Sequence, residues 1–124
     1  MKVLTEKPHK GNFILSEDGE GRLSRDVITI AAGAGKLMPG TVLGEVTATE
    51  KFVPSPDTAN DGSEKAKVVL IDEVDATTED VKTTGIARHA EVNHHGLFYH
   101  ASVNDPAKRA TKHAQLKDAG IVVR

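Results

Sequence analysis

The last 21 residues of the chain, 104–124, constrain the fold most narrowly. Asn104 or Asp105 can cap the start of a helix, and Pro106 suits the first helical position. Gly120 suits the left-handed residue at which a helix stops. The three residues after Gly120 are β-branched, which favours a strand. The sequence therefore predicts a short C-terminal helix that leads directly into a terminal strand.

Short β-branched or apolar runs separated by turn residues predict that the rest of the domain is mainly β. The predicted extended segments are Val27–Ile30, Thr41–Thr49, Val68–Ile71 and a region from Gly85 to about Val92. Gly44, inside the second segment, indicates a bulge or a close backbone approach. The Pro, Ser, Asp, Asn and Gly residues between Pro54 and Lys67 predict a mobile surface loop.

A turn is predicted at residues 93–96, between two apolar positions. If this turn closes a hairpin, Ala90 pairs with Tyr99 on one face and His89 pairs with His100 on the other. The pairing would bring two of the six histidines together. Two imidazoles without a nearby carboxylate or Cys make a weak metal site, so exposed histidines around a turn are the favoured interpretation.

Composition excludes several classes of function. A length of 124 residues suits one domain, and a net charge of −2 gives no electrostatic footprint for nucleic acid or anionic lipid. The chain has no Cys and no apolar run long enough to cross a bilayer, so we expect a soluble protein made in the cytoplasm. Gly35-Lys36 lacks the flanking residues of a phosphate-binding loop. No enzyme activity and no cofactor are predicted.

Residues 1–24 are predicted to form a flexible N-terminal arm ahead of a β-rich domain at residues 25–124. The mixture of charged residues, Gly and Pro in this segment cannot bury enough apolar surface to order itself. Its two apolar clusters, Val3-Leu4 and Phe13-Ile14-Leu15, are short enough to be strands that add to a partner.

Five segments, taken together, resemble a known family. They are Ser24–Ile30, Gly40–Gly44, Val68–Ala76, Ala90–Val92 and Leu116–Arg124. In order and spacing they resemble the head decoration proteins of tailed bacteriophages, the family of the lambda head decoration protein.

The resemblance implies a compact β-clip-like or small β-barrel domain with little helix. It implies a homotrimer on the outside of the virion, at three-fold and quasi-three-fold sites of the expanded head, cementing the major capsid protein against the pressure of packaged DNA. It also implies an arm that becomes ordered on the capsid. The residues assigned to this capsid-binding arm are Val3, Leu4, Asn12, Phe13, Ile14 and Leu15. No nucleic acid or membrane partner is expected, and the sequence leaves the trimer-contact residues unassigned.

Two other classes of function stay open at this point. A β-barrel interaction domain of another assembly would have the same composition. A metal-binding protein would need ligands from the histidine-rich segment, namely His89, His94, His95 or His100.

Overall fold

The computed structural model describes residues 10–21 and 23–124, which form ten strands, one α-helix and two short 3-10 helices. The strands are β1 (Ile14–Glu17), β2 (Arg25–Ile30), β3 (Gly35–Leu37), β4 (Val42–Val46), β5 (Lys51–Pro54), β6 (Ala66–Leu70), β7 (Val74–Ala76), β8 (Val81–Ile86), β9 (Ala90–Val92) and β10 (Ile121–Val123). Helix α1 spans Pro106–Asp118, and the 3-10 helices span Asp18–Gly21 and His94–Gly96. The prediction of a mainly β fold with a short C-terminal helix is confirmed.

Five strands close a small barrel in the order β2-β5-β4-β6-β8, and β8 pairs back onto β2. Strands β2 and β8 form six antiparallel pairs, from Arg25 with Ile86 to Ile30 with Val81. Side chains of β2 alternate between the two sides of the barrel wall, so Ile28 and Ile30 are buried inside while Val27 points outward. A second, three-stranded sheet has the order β1-β9-β10, and β3 pairs with β7.

Two hydrophobic cores share the wall of the barrel. The first lies inside it and comprises Ile28, Ile30, Leu37, Leu43, Phe52, Val68, Leu70, Val74 and Ala76. The second lies between the barrel, the three-stranded sheet and α1, and comprises Phe13, Val42, Ala66, Val69, Ile71, Ile86, Ala90, Val92, Leu97, Leu116 and Ile121. Neighbouring side chains of β6 enter different cores, which explains why Val68, Val69 and Leu70 form a continuous apolar run.

The C-terminal helix and strand form as predicted. The Asp105 carboxylate accepts a hydrogen bond from the Lys108 amide at 2.8 Å, and Pro106 occupies the first helical turn. Gly120 has a φ of 95°, the left-handed conformation that ends the helix. Strand β10 then lies parallel to β9, with Ile121 opposite Ala90.

The predicted hairpin around residues 93–96 is wrong. The Asn93 side chain accepts a hydrogen bond from the His95 amide at 3.0 Å, which tightens the segment into a 3-10 turn. Strand β9 therefore pairs with β1 and β10 and not with the residues after the turn, so neither Ala90 with Tyr99 nor His89 with His100 is formed.

The predicted extended region from Gly85 to Val92 is also wrong as one segment. Strand β8 ends at Ile86, and His89 adopts a φ of 51° before β9 begins. The predicted strand at Thr41–Thr49 is β4, but it ends at Val46 and turns back into β5, which the sequence analysis missed along with β3 and β7.

Gly44 has the predicted close approach and bulge. A Cβ at this position would lie 1.9 Å from the Ser63 carbonyl oxygen, and the register between β4 and β6 shifts here.

No helix in the described part of the chain is long and apolar enough to span a membrane.

Candidate interaction surface

The six residues predicted to bind a partner through the arm have different environments. Val3 and Leu4 lie outside the described residues. Asn12 is exposed in a turn, and Ile14 is half-buried against the second core. Phe13 is 1% exposed within that core, whereas Leu15 is 52% exposed at the bulge of β1. Their role in binding stays a prediction, but in this conformation Phe13 is not available to a partner.

The Phe13 side chain packs closely against Gly96. A Cβ on Gly96 would lie 2.7 Å from the Cβ of Phe13, and a Cβ on Gly40 would lie 2.1 Å from the Gly96 carbonyl oxygen. The Phe13 carbonyl accepts a hydrogen bond from the Asn93 amide at 2.8 Å, and the Gly11 amide donates to the Ile71 carbonyl at 3.0 Å. The chain from Gly11 onward therefore packs with the domain.

Four large apolar side chains are exposed in the described part of the chain. They are Leu15 (52%), Leu23 (55%), Val27 (75%) and Phe98 (41%). The first three fall within a stretch of 13 positions that contains β1 and the start of β2. Val27 is the most exposed of the four, and it lies on the outward side of the barrel wall.

Charged and hydroxyl side chains surround Val27 on this outward surface. Arg25 shares its side of β2, and Thr84 is its cross-strand partner on β8, followed by Lys82. We call the surface formed by Arg25, Val27, Lys82 and Thr84 the Val27 face. A shallow cavity of about 290 Å³ adjoins it, lined by Arg25, Lys82 and Thr84 together with Lys10, Ile71, Asp72 and Thr83.

An ion pair connects the Val27 face to β1. The Arg25 guanidinium donates to both carboxylate oxygens of Glu17, at 2.9 and 2.6 Å, and the Ser24 hydroxyl donates to the same carboxylate. Hydrogen bonding from Arg25 holds the pKa of Glu17 below its usual value. Both groups are therefore charged near neutral pH, and the cation beside Val27 is held in place.

Among the described residues, the closest pair of histidines is His94 and His95, whose ring centroids lie 3.8 Å apart. His94 Nδ1 lies 2.7 Å from the Arg124 carbonyl oxygen, and His100 Nδ1 lies 2.8 Å from the Ser102 hydroxyl. His89 is exposed at a strained backbone position. Within residues 10–21 and 23–124, no group of three or more His, Cys, Asp or Glu side chains could hold a metal ion. The geometry therefore does not support the metal-binding alternative.

His113, on α1, forms a separate polar contact with Tyr99. Its Nε2 lies 2.5 Å from the Tyr99 hydroxyl. Burial lowers the pKa of His113, and the positive charges of His94 and Arg109 lower it further. Burial also raises the pKa of Tyr99. At neutral pH the imidazole and the phenol are therefore both uncharged, and one hydrogen bond joins them.

Lys112 is a buried charged group that the sequence analysis missed. Its side chain is 1% exposed, and its ammonium donates to the Ser55 hydroxyl at 2.9 Å, the Pro56 carbonyl at 2.6 Å and the Glu64 carbonyl at 2.5 Å. The loop predicted to be mobile is thus attached to α1. The one sequence signal was the i, i+4 spacing of Lys112 and Leu116, which puts both on the buried face of the helix.

Comparison with known proteins identifies a family. A family model described as bacteriophage lambda head decoration protein D matches residues 3–121. The matched range contains the whole barrel, α1, β1 and β9, and it ends at the first residue of β10. No curated protein matches the chain.

Proposed function

The chain belongs to the bacteriophage lambda head decoration protein D family, and we propose that it binds the major capsid protein as a homotrimer at three-fold and quasi-three-fold sites of the expanded head. The family match over residues 3–121 carries this proposal, because it covers nearly the whole chain. Membership makes the protein a structural component of a phage capsid. The proposal adds the oligomeric state, the capsid subunit and the sites.

The proposed trimer cements the head by engaging several capsid subunits at once. Linked contacts of modest strength combine through effective concentration, so a trimer can bind far more tightly than one copy. Each copy offers a closed barrel with two cores, a compact body suited to bearing load. We propose that this bridging stabilises the shell against the pressure of packaged DNA, with no catalytic step.

The segment before Lys10 is proposed to be the flexible part of the attachment. It contains the apolar pair Val3-Leu4 between charged residues. A segment that becomes ordered only on the capsid loses its conformational entropy there. Attachment is therefore selective for a shell that offers a binding site for this segment.

Deletion of residues 1–9 tests this role. The fold should be retained, because the Gly11 amide bond to Ile71 and the packing of Phe13 stay intact. We expect an unchanged trimer by light scattering and at least tenfold weaker binding to expanded heads that lack decoration protein. Equal binding of the shortened and full-length chains would refute the role of the arm. If the full-length chain bound no expanded head, the alternative of an interaction domain from another assembly would replace the whole proposal.

A further inference from the structure

We propose that the Val27 face rests against the major capsid protein in the decorated head, beside the point at which the N-terminal segment leaves the domain. This inference rests on the proposed function and assigns a surface of the folded domain to it. The partner it requires is a capsid patch with an apolar centre and carboxylates at its rim.

Exposure alone does not mark a binding surface, since single apolar side chains are common on protein surfaces. Val27 differs in its position. It is 75% exposed in the middle of a six-residue strand, while Ile28 and Ile30 on the other side of β2 are buried in the barrel core. It lies on a rigid sheet surface with paired strands on one side, so a partner can cover it without reordering the chain.

The N-terminal segment begins close to this surface. The Gly11 amide donates to the Ile71 carbonyl, and the Ile71 amide donates to the Thr84 carbonyl at 3.3 Å. Thr84 in turn pairs with Val27, so Gly11, Ile71, Thr84 and Val27 lie on four neighbouring backbone segments. Adjacent segments are about 4.8 Å apart, so three such spacings put Gly11 about 14 Å from Val27.

This separation is short compared with the reach of the arm. Nine extended residues span at most about 30 Å. The Val27 face therefore lies within reach of a capsid subunit that holds residues 1–9. Lys10 itself lines the cavity next to that face, together with Arg25, Lys82 and Thr84.

Charge defines the chemistry of the partner. Three cations, Lys10, Arg25 and Lys82, line the cavity beside the Val27 face, whereas the carboxylates of Asp26, Glu45 and Glu50 line a second cavity that includes Val27. Lys10 pairs with Asp72 at 3.5 Å and Arg25 pairs with Glu17, whereas Lys82 has no ion-pair partner within residues 10–21 and 23–124. A complementary surface would therefore supply at least one carboxylate opposite Lys82.

The substitution Val27→Glu tests the inference against the matched control Ala110→Glu, which adds the same charge at an exposed position of α1. Both variants should remain folded trimers, because neither site is buried. We expect Val27→Glu to weaken binding to undecorated expanded heads at least tenfold and Ala110→Glu to leave it unchanged. Lys82→Glu should weaken binding and reduce its dependence on salt. Val27→Thr keeps the β-branched shape and serves as a second variant if Val27→Glu does not fold. We expect it to weaken binding to expanded heads by a smaller factor.

The outcomes separate this inference from the proposed function. If deletion of residues 1–9 weakens binding while Val27→Glu, Val27→Thr and Lys82→Glu all bind like the unmodified chain, the Val27 face is not a capsid contact and the arm proposal stands. If Val27→Glu breaks the trimer, the face belongs to the subunit interface and the inference is overturned. If the unmodified chain binds no expanded head, both proposals fail.

Discussion

At the residue scale, Lys112 shows how a single polar group can organise a loop. Burying an ammonium is costly unless its donors are satisfied, and here each of three donors has an oxygen acceptor. Two of the acceptors are main-chain carbonyls at opposite ends of residues 56–64. Burial lowers the pKa of Lys112, while the charges of Asp57 and Glu64 act to raise it.

Replacing Lys112 with Met should destabilise the fold by about 2 kcal/mol, because buried oxygens of the loop lose their donors. Faster amide hydrogen exchange in residues 55–64 should accompany the loss. The control is Lys117→Met, at an exposed position of the same helix, which should change stability by less than about 0.5 kcal/mol. Chemical denaturation of the two variants checks this, and equal stabilities would show that the Lys112 contacts contribute nothing.

At the scale of elements, the backbone of β4 packs closely against the loop that Lys112 attaches to α1. The backbone of Gly44 faces Ser63 so closely that any side chain at this position collides with the carbonyl. The contact lies at the bulge between β4 and β6, where the barrel wall changes register. The strand and the loop are therefore fitted to each other.

Gly44→Ala should lower the free energy of unfolding by about 2 kcal/mol, because the added methyl group forces the two backbones apart. Gly33→Ala is the comparison: its Cβ would meet nothing within 4 Å, so its cost is that of the left-handed conformation alone, about 1 kcal/mol. Thermal unfolding of both variants provides the measurement. A smaller effect at Gly44 than at Gly33 would contradict the steric explanation.

Elements with local signals were predictable from the sequence. Strands β2 and β6 each contain a β-branched or apolar run, Val27–Ile30 and Val68–Leu70, and α1 carries its own cap, first-turn proline and stop residue. The elements that were missed lack such local signals. Strand β5 is recognisable only beside β4, and the three residues of β3 pair with β7, which lies far along the chain.

The proposed interaction surface was less predictable than the fold. Phe13-Ile14-Leu15 reads as one apolar cluster, but burial separates it into a core residue and an exposed one. Val27 reads as core within a β-branched strand, yet it faces outward because the barrel core takes alternate residues. Which of the two sides of β2 meets the core depends on barrel closure, and no local pattern in the sequence specifies it.

At the scale of the whole molecule, the two cores are physically joined. Val68 and Leu70 pack inside the barrel while Val69 packs in the second core, so one strand contributes to both. Loss of either core would expose apolar side chains on the strand that supports the other.

The domain should therefore unfold in a single transition. A truncating substitution in the barrel, Leu43→Ala, and one in the second core, Leu116→Ala, should each shift the whole transition by an amount corresponding to about 3 kcal/mol. Far-ultraviolet circular dichroism and hydrogen exchange at amides of both sheets should give the same midpoint for each variant. Separate midpoints for the two sheets would show that the cores are independent.

The common strand β6 has a mechanical consequence. Tension applied through the N-terminal segment enters the domain at Gly11, which is hydrogen-bonded to Ile71 directly after β6. Because β6 contributes to both hydrophobic cores, both cores resist this tension. The load is therefore carried by the strand that contributes side chains to both cores. Under the pressure of packaged DNA, we expect whole copies to dissociate from the capsid before the domain of any copy unfolds.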